Sequence, residues 1–88
     1  MTNLDSRIAA LASSFAERMP GERAAIANAL SAGDRDTLID RAHKLAGIAG
    51  MFGRSDIGTA ALELEQRLLA STDYVEETER LLDLLERR

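Results

Sequence analysis

Apolar positions along the chain recur at helical spacing, and small or polar residues interrupt the pattern at four places. Leu4, Ile8, Leu11, Ala12, Phe15 and Met19 fall on one stripe at roughly 100° per residue. Thr2 or Asn3 is positioned to cap that helix. Pro20-Gly21 reads as its end and as the start of a second helix, from about Glu22 to Ala32, with proline in the first turn. The second apolar face is weaker: Ile26, Ala27 and Leu30. Gly33 is a C-terminal stop and Asp34 an N-cap whose carboxylate suits the positive end of the next helix.

The third helix is predicted from Arg35 to Phe52, with Gly53 ending it. Its core stripe is Leu38, Ala42, Leu45, Ala49 and Phe52, spaced four, three, four and three. Ser55 or Asp56 then caps a fourth helix with two apolar stripes. Ile57, Ala61, Leu64 and Leu68 form one, and Leu62 with Leu69 the other, which predicts contact with two neighbours. Ser71-Thr72-Asp73 is the last break. The fifth helix packs Val75, Thr78, Leu81, Leu82 and Leu85. Short connections turn successive helices antiparallel. The expected fold is all-α: an antiparallel up-down four-helix bundle over about 22–87, with an additional N-terminal helix, about 4–19, packed across one end.

Composition fits that pattern. Apolar residues are 45% of the chain and aromatics 3%, so the core must come from leucine, isoleucine, valine and alanine. Eighty-eight residues make one domain with a modest core. There is no cysteine, hence no disulfide and no thiolate metal site. No apolar run approaches a membrane span, and the N-terminus does not read as a signal peptide. The net charge of −4 argues against a nucleic-acid partner. These features together suggest a cytoplasmic domain.

The chemistry concentrates in Arg41-Ala42-His43-Lys44-Leu45-Ala46-Gly47-Ile48-Ala49-Gly50-Met51-Phe52-Gly53, which holds the only histidine and the only lysine. His43 lies nearly opposite the core stripe, and its neighbours on that face are Ala46, Gly47 and Gly50. Glycine costs about 1 kcal/mol against alanine inside a helix. Two of them beside one exposed imidazole suggest that something large approaches it closely. A metal site is not supported, because Asp40 alone cannot complete a ligand set. A hydrolase base would need a nucleophile, and glycine and alanine supply none. A lone histidine on a helix is usually of no consequence. Here three features favour phosphoryl acceptance: exposure, clearance, and the nearby positive charge of Lys44, Arg41 and Arg54.

His43-Lys44-Leu45-Ala46-Gly47, followed after five residues by Gly53, resembles the signature of histidine phosphotransfer (HPt) domains, His-x-Leu-Lys-Gly with a glycine ten residues after the histidine. Ala42, Phe52, Gly33-Asp34 and Leu62-Glu63-Leu64-Glu65 add to the likeness, which runs from about Phe15 to the end. One departure stands out: Ala46 occupies the family's lysine position, and lysine stands instead at Lys44. The resemblance implies a phosphorelay carrier, not a catalyst with turnover. His43 would accept a phosphoryl group from the aspartyl phosphate of a receiver domain and pass it to another receiver. Lys44 would be an auxiliary cation, with Arg41, Ala46, Gly47, Gly50 and Arg54 facing the partner and Gly53 structural. The resemblance implies no cofactor of the chain's own, and magnesium on the partner receiver. Expected partners are receivers of response regulators and a hybrid histidine kinase, with the chain itself a monomer. The competing reading is a helical adaptor or inhibitor that binds a response regulator without accepting phosphate.

Overall fold

The computed structural model describes residues 3–86, except for the side chains of residues 3–6, 8 and 12. Four α-helices follow one another: α1 (Asn3–Ala32), α2 (Arg35–Ile48), α3 (Ser55–Leu69) and α4 (Val75–Glu86). A 3-10 turn, Ala49–Phe52, continues α2. Each helix packs on the next, and α1 closes the ring against α4.

The first difference from the sequence pattern is in α1. It runs unbroken through Pro20, so no separate N-terminal helix lies across the end of the bundle. Proline inside a helix removes a backbone donor and costs about 3 kcal/mol. Continuity is maintained by burial on both sides of it. Phe15 and Met19 before Pro20, and Ile26 and Ala29 after it, are all buried and share one helical face. A break at Pro20 would take one of these pairs out of register with the core.

Thirty residues of helix span about 45 Å, which matches the long axis of 48 Å. The other helices are half that length or less. The core therefore reaches only to Phe15, and Leu11, expected within it, is 56% exposed. Thr2 and the side chains of Asn3, Leu4, Ile8 and Ala12 lie outside the described residues.

The connections follow turn chemistry. Gly33 has φ +67, and the N–H groups of Gly33 and Asp34 donate to the carbonyls of Leu30 and Ala29. Asp34 then caps α2, accepting from the Thr37 N–H and hydroxyl. At the other end of α2 the chain tightens into the 3-10 turn, and Gly53, φ +79, stops it. Neither Ser55 nor Asp56 caps α3: Arg54 holds that position and makes no side-chain cap bond. Asp56 acts two positions further on, in the first turn, where its carboxylate meets the Arg54 guanidinium. Thr72 closes α3 by donating its hydroxyl to the Arg67 carbonyl, and Asp73 accepts from the Val75 N–H.

Leu38, Ala42, Leu45 and Ala49 are buried as the spacing of α2 predicts. Phe52 is half-buried and stacks on Phe15 with ring centroids 5.2 Å apart. Ile57, Ala61, Leu64 and Leu68 of α3 and Thr78, Leu81 and Leu85 of α4 complete the core. The buried Thr78 hydroxyl donates to the Tyr74 carbonyl at 2.7 Å, so its polarity is satisfied. Three expected contacts are not made. Leu62 and Leu69 are 46% and 64% exposed, and Val75 is 45% exposed. Among the described residues, the second stripe of α3 is left exposed.

Candidate functional site

The core stripe of α2 faces inward, and His43 therefore faces out, with its side chain 74% exposed. Its ring is nevertheless held. Nδ1 lies 2.8 Å from Oε2 of Glu65 on α3, a carboxylate only 15% exposed. With an ionised carboxylate as acceptor, Nδ1 carries the proton, and Nε2 of the neutral ring keeps its lone pair. The hydrogen bond thus fixes both the tautomer and the ring plane.

Glu65 reaches His43 because α2 and α3 run close together. A Cβ built on Gly58 would lie 3.6 Å from the Gly50 nitrogen, 3.8 Å from the Ala49 Cβ and 3.9 Å from the Ala46 carbonyl oxygen. These are ordinary contacts for a methyl group, so the two helices pack at the distance of direct van der Waals contact there. Ala46 is half-buried at this seam. Gly47 and Gly50 differ from Gly58. Both are exposed, and a Cβ on either would meet nothing within 4 Å. Packing inside the chain does not require them, and their effect is to leave the surface beside the imidazole flat.

Glu65 did not emerge from the sequence as a site residue, although a signal was present. It follows the buried Ala61 by four positions and precedes the buried Leu68 by three, which places a carboxylate on the shoulder of the core. Over residues 10–88 the chain matches the family model described as the Hpt domain. The chain belongs to the Hpt domain family. No curated protein and no solved structure gives a match. Hpt domains serve histidine phosphotransfer in two-component phosphorelays, as carriers that interact with receiver domains and histidine kinases.

In this Hpt domain Lys44, Arg41 and Arg54 are each engaged. Lys44 Nζ sits 3.1 Å from Asp40 Oδ2, one turn back on α2, and both groups are largely exposed. Arg41 points to α1, where it donates to Glu22 at 2.7 Å. Arg54 donates to Asp56 and to the Leu84 carbonyl, tying the start of α3 to the end of α4. Gly53 sets the left-handed turn between the 3-10 turn and α3. The structure thus brings His43, Ala46, Gly47 and Gly50 onto or beside one face, and holds Arg41 and Arg54 in contacts between helices.

His43 stands on an open surface, not in a pocket. A hollow between α3 and α4, lined by Glu63, Arg67, Glu77 and Arg80 among others, does not include it. Among the described residues no group of three or more His, Asp or Glu side chains is placed to hold a metal ion. Among them, too, no helix is long and apolar enough to cross a membrane.

Proposed function

We propose that His43 is the phosphoacceptor of this Hpt domain. A receiver domain carrying an aspartyl phosphate and its magnesium ion docks over the exposed face of α2. Nε2 of His43 attacks phosphorus in line. The N–P bond forms, the P–O bond to the receiver aspartate breaks, and the carboxylate leaves with the electron pair. The ring becomes a phosphoimidazolium whose Nδ1–H still donates to Glu65, so the new positive charge meets a carboxylate already in place. Transfer to a second receiver runs the same steps in reverse, and the chain has no turnover of its own. It works as a cytoplasmic monomer between a hybrid histidine kinase and a response regulator.

The observation that carries this reading is the exposed imidazole with Nδ1 held by Glu65. A nucleophile aimed from a rigid helix needs little further catalytic apparatus when the partner brings the metal and the leaving group. Lys44 is an auxiliary cation that must leave Asp40 to act, and such exposed pairs contribute only about 0.3–0.5 kcal/mol.

The test is transfer of labelled phosphate from phosphorylated receivers to the native chain and to His43→Gln. Acid-labile, base-stable label on the native chain alone is expected. Equal labelling of both would move the site elsewhere. Binding without label on either would make the chain an adaptor.

A further inference from the structure

Asp40 stands three residues before His43 and Asp36 seven, and both are exposed on α2. Those spacings place them on the face of the imidazole. Helix side chains lean toward the N-terminus, which for His43 is the turn of Asp40 and not that of Gly47. Glu65 adds a third carboxylate, 2.8 Å from Nδ1. Against these stands Lys44, the only lysine of the chain, and Asp40 already holds it at 3.1 Å. The flanking arginines are committed elsewhere. Arg35 donates to the Leu68 carbonyl and lies over the Tyr74 ring, Arg41 turns to Glu22, and Arg54 binds Asp56 and the Leu84 carbonyl. The imidazole thus stands beside three carboxylates and one cation that is paired with one of them.

Phosphoryl acceptance brings a dianion to this face. The N–P bond forms, the receiver carboxylate leaves with the P–O electron pair, and the chain gains one net negative charge while the receiver gives one up. We infer that Asp40 sets this transfer equilibrium against the phosphohistidine, so that the domain hands its phosphoryl group on and does not store it. The inference rests on the phosphocarrier reading above. Asp40 touches no reacting atom and acts in two ways of the same sign. Its charge repels the phosphoryl dianion, and its hold on Lys44 withholds the cation that would offset that charge. Distance selects Asp40 over Asp36. At about 1.5 Å per residue, Asp40 lies about 5 Å along the axis from His43 and Asp36 about 10 Å, on either side of the screening length of about 8 Å at physiological salt. Glu65 is a different case, because the positive ring of the phosphohistidine offsets its charge.

The experiment uses a receiver domain that labels the native chain, charged with labelled acetyl phosphate and then freed of it. Receiver and chain are mixed dilute and in equal amounts, and the label on each is read once their ratio is steady. Docking changes how fast that ratio is reached and leaves its value alone, so the measurement isolates the energy of the phosphohistidine. Asp40→Asn should raise the label on the chain relative to the receiver about fivefold, the scale of one charge pair at close range in water. Asp40→Glu keeps the charge and the reach to Lys44 and should stay within about twofold of the native ratio, as should Asp36→Asn. A ratio that Asp40→Asn leaves unchanged, or that Asp40→Glu or Asp36→Asn shifts as far, would overturn the inference. With His43→Gln still taking no label, the carrier reading would then stand without it. If no receiver labels the native chain, both fall together.

Discussion

Nδ1 of His43 and Oε2 of Glu65 lie 2.8 Å apart across the α2–α3 seam, twenty-two residues apart in sequence. The carboxylate is mostly buried and the imidazole mostly exposed, so the fold fixes the nucleophile from behind and leaves its front open. Glu65→Ala should release the ring and slow phosphoryl acceptance by about ten- to a hundredfold, the usual cost of losing a residue that orients a reacting group. Glu65→Gln keeps an acceptor oxygen for Nδ1–H and should lose less. Nitrogen NMR of the imidazole checks the cause: the Nδ1–H tautomer should dominate in the native chain and in Glu65→Gln, and mix with the other tautomer in Glu65→Ala.

Lys44 is held by Asp40, and Ala46 offers no charge. A phosphoryl group on His43 would therefore find little cationic support from its own helix. Ala46→Lys should place an ammonium about 60° around the helix from His43 and lengthen the lifetime of the phosphohistidine by about three- to tenfold, as charge-assisted hydrogen bonds do. Lys44→Ala should change that lifetime by less than about twofold. The decay of isolated, labelled protein in the absence of any receiver measures both.

The ring contact between Phe15 and Phe52 ties the middle of α1 to the end of the 3-10 turn. Phe15 is 4% exposed, and Phe15→Ala should cost about 3–5 kcal/mol of stability in urea unfolding. Pro20→Ala should act in the opposite direction, with a gain of up to about 3 kcal/mol, because it restores a helical donor in the interior of α1. A loss of stability in Pro20→Ala would mean that the proline ring itself contributes to the packing of α1.

These residues also mark where sequence pattern stops. The stripe Leu38, Ala42, Leu45 and Ala49, the stops at Gly33 and Gly53, and the outward face of His43 were legible, because each follows from local geometry: a period, a left-handed turn, an angle on a cylinder. Pro20 reads as a break because its local cost is large. The burial that overrides that cost, by Phe15, Met19, Ile26 and Ala29 together, is a tertiary effect. Leu11, Leu62, Leu69 and Val75 show a second limit. Periodicity says that a face is apolar, but not that the chain supplies a neighbour to cover it. Glu65 and the ties of Arg41 to Glu22 and of Arg54 to Leu84 are contacts between distant segments, and no window on one helix contains them.

The acid limb of stability offers a last test. Hydrogen bonds from the Thr37 hydroxyl and backbone N–H hold the Asp34 carboxyl below the usual aspartate range, which is roughly 3.9. The side-chain hydrogen bonds from Arg54 do the same for Asp56. A depressed pKa in the folded chain means that the unfolded chain takes up protons first as pH falls. The two carboxylates thus stabilise the fold fully above the usual aspartate range, and that contribution disappears as pH drops through their lowered values. Asp34→Asn isolates the charge, because asparagine still caps a helix but does not titrate. The native chain should be more stable than Asp34→Asn at neutral pH, and the gap should close as pH falls below about 3.9. Asp34→Ala, which loses the cap as well, should stay below the native chain at neutral pH by a wider margin. Thermal unfolding of the three proteins between neutral and acid pH decides it. A gap that widens toward acid would mean that Asp34 is not held in its charged form by the cap.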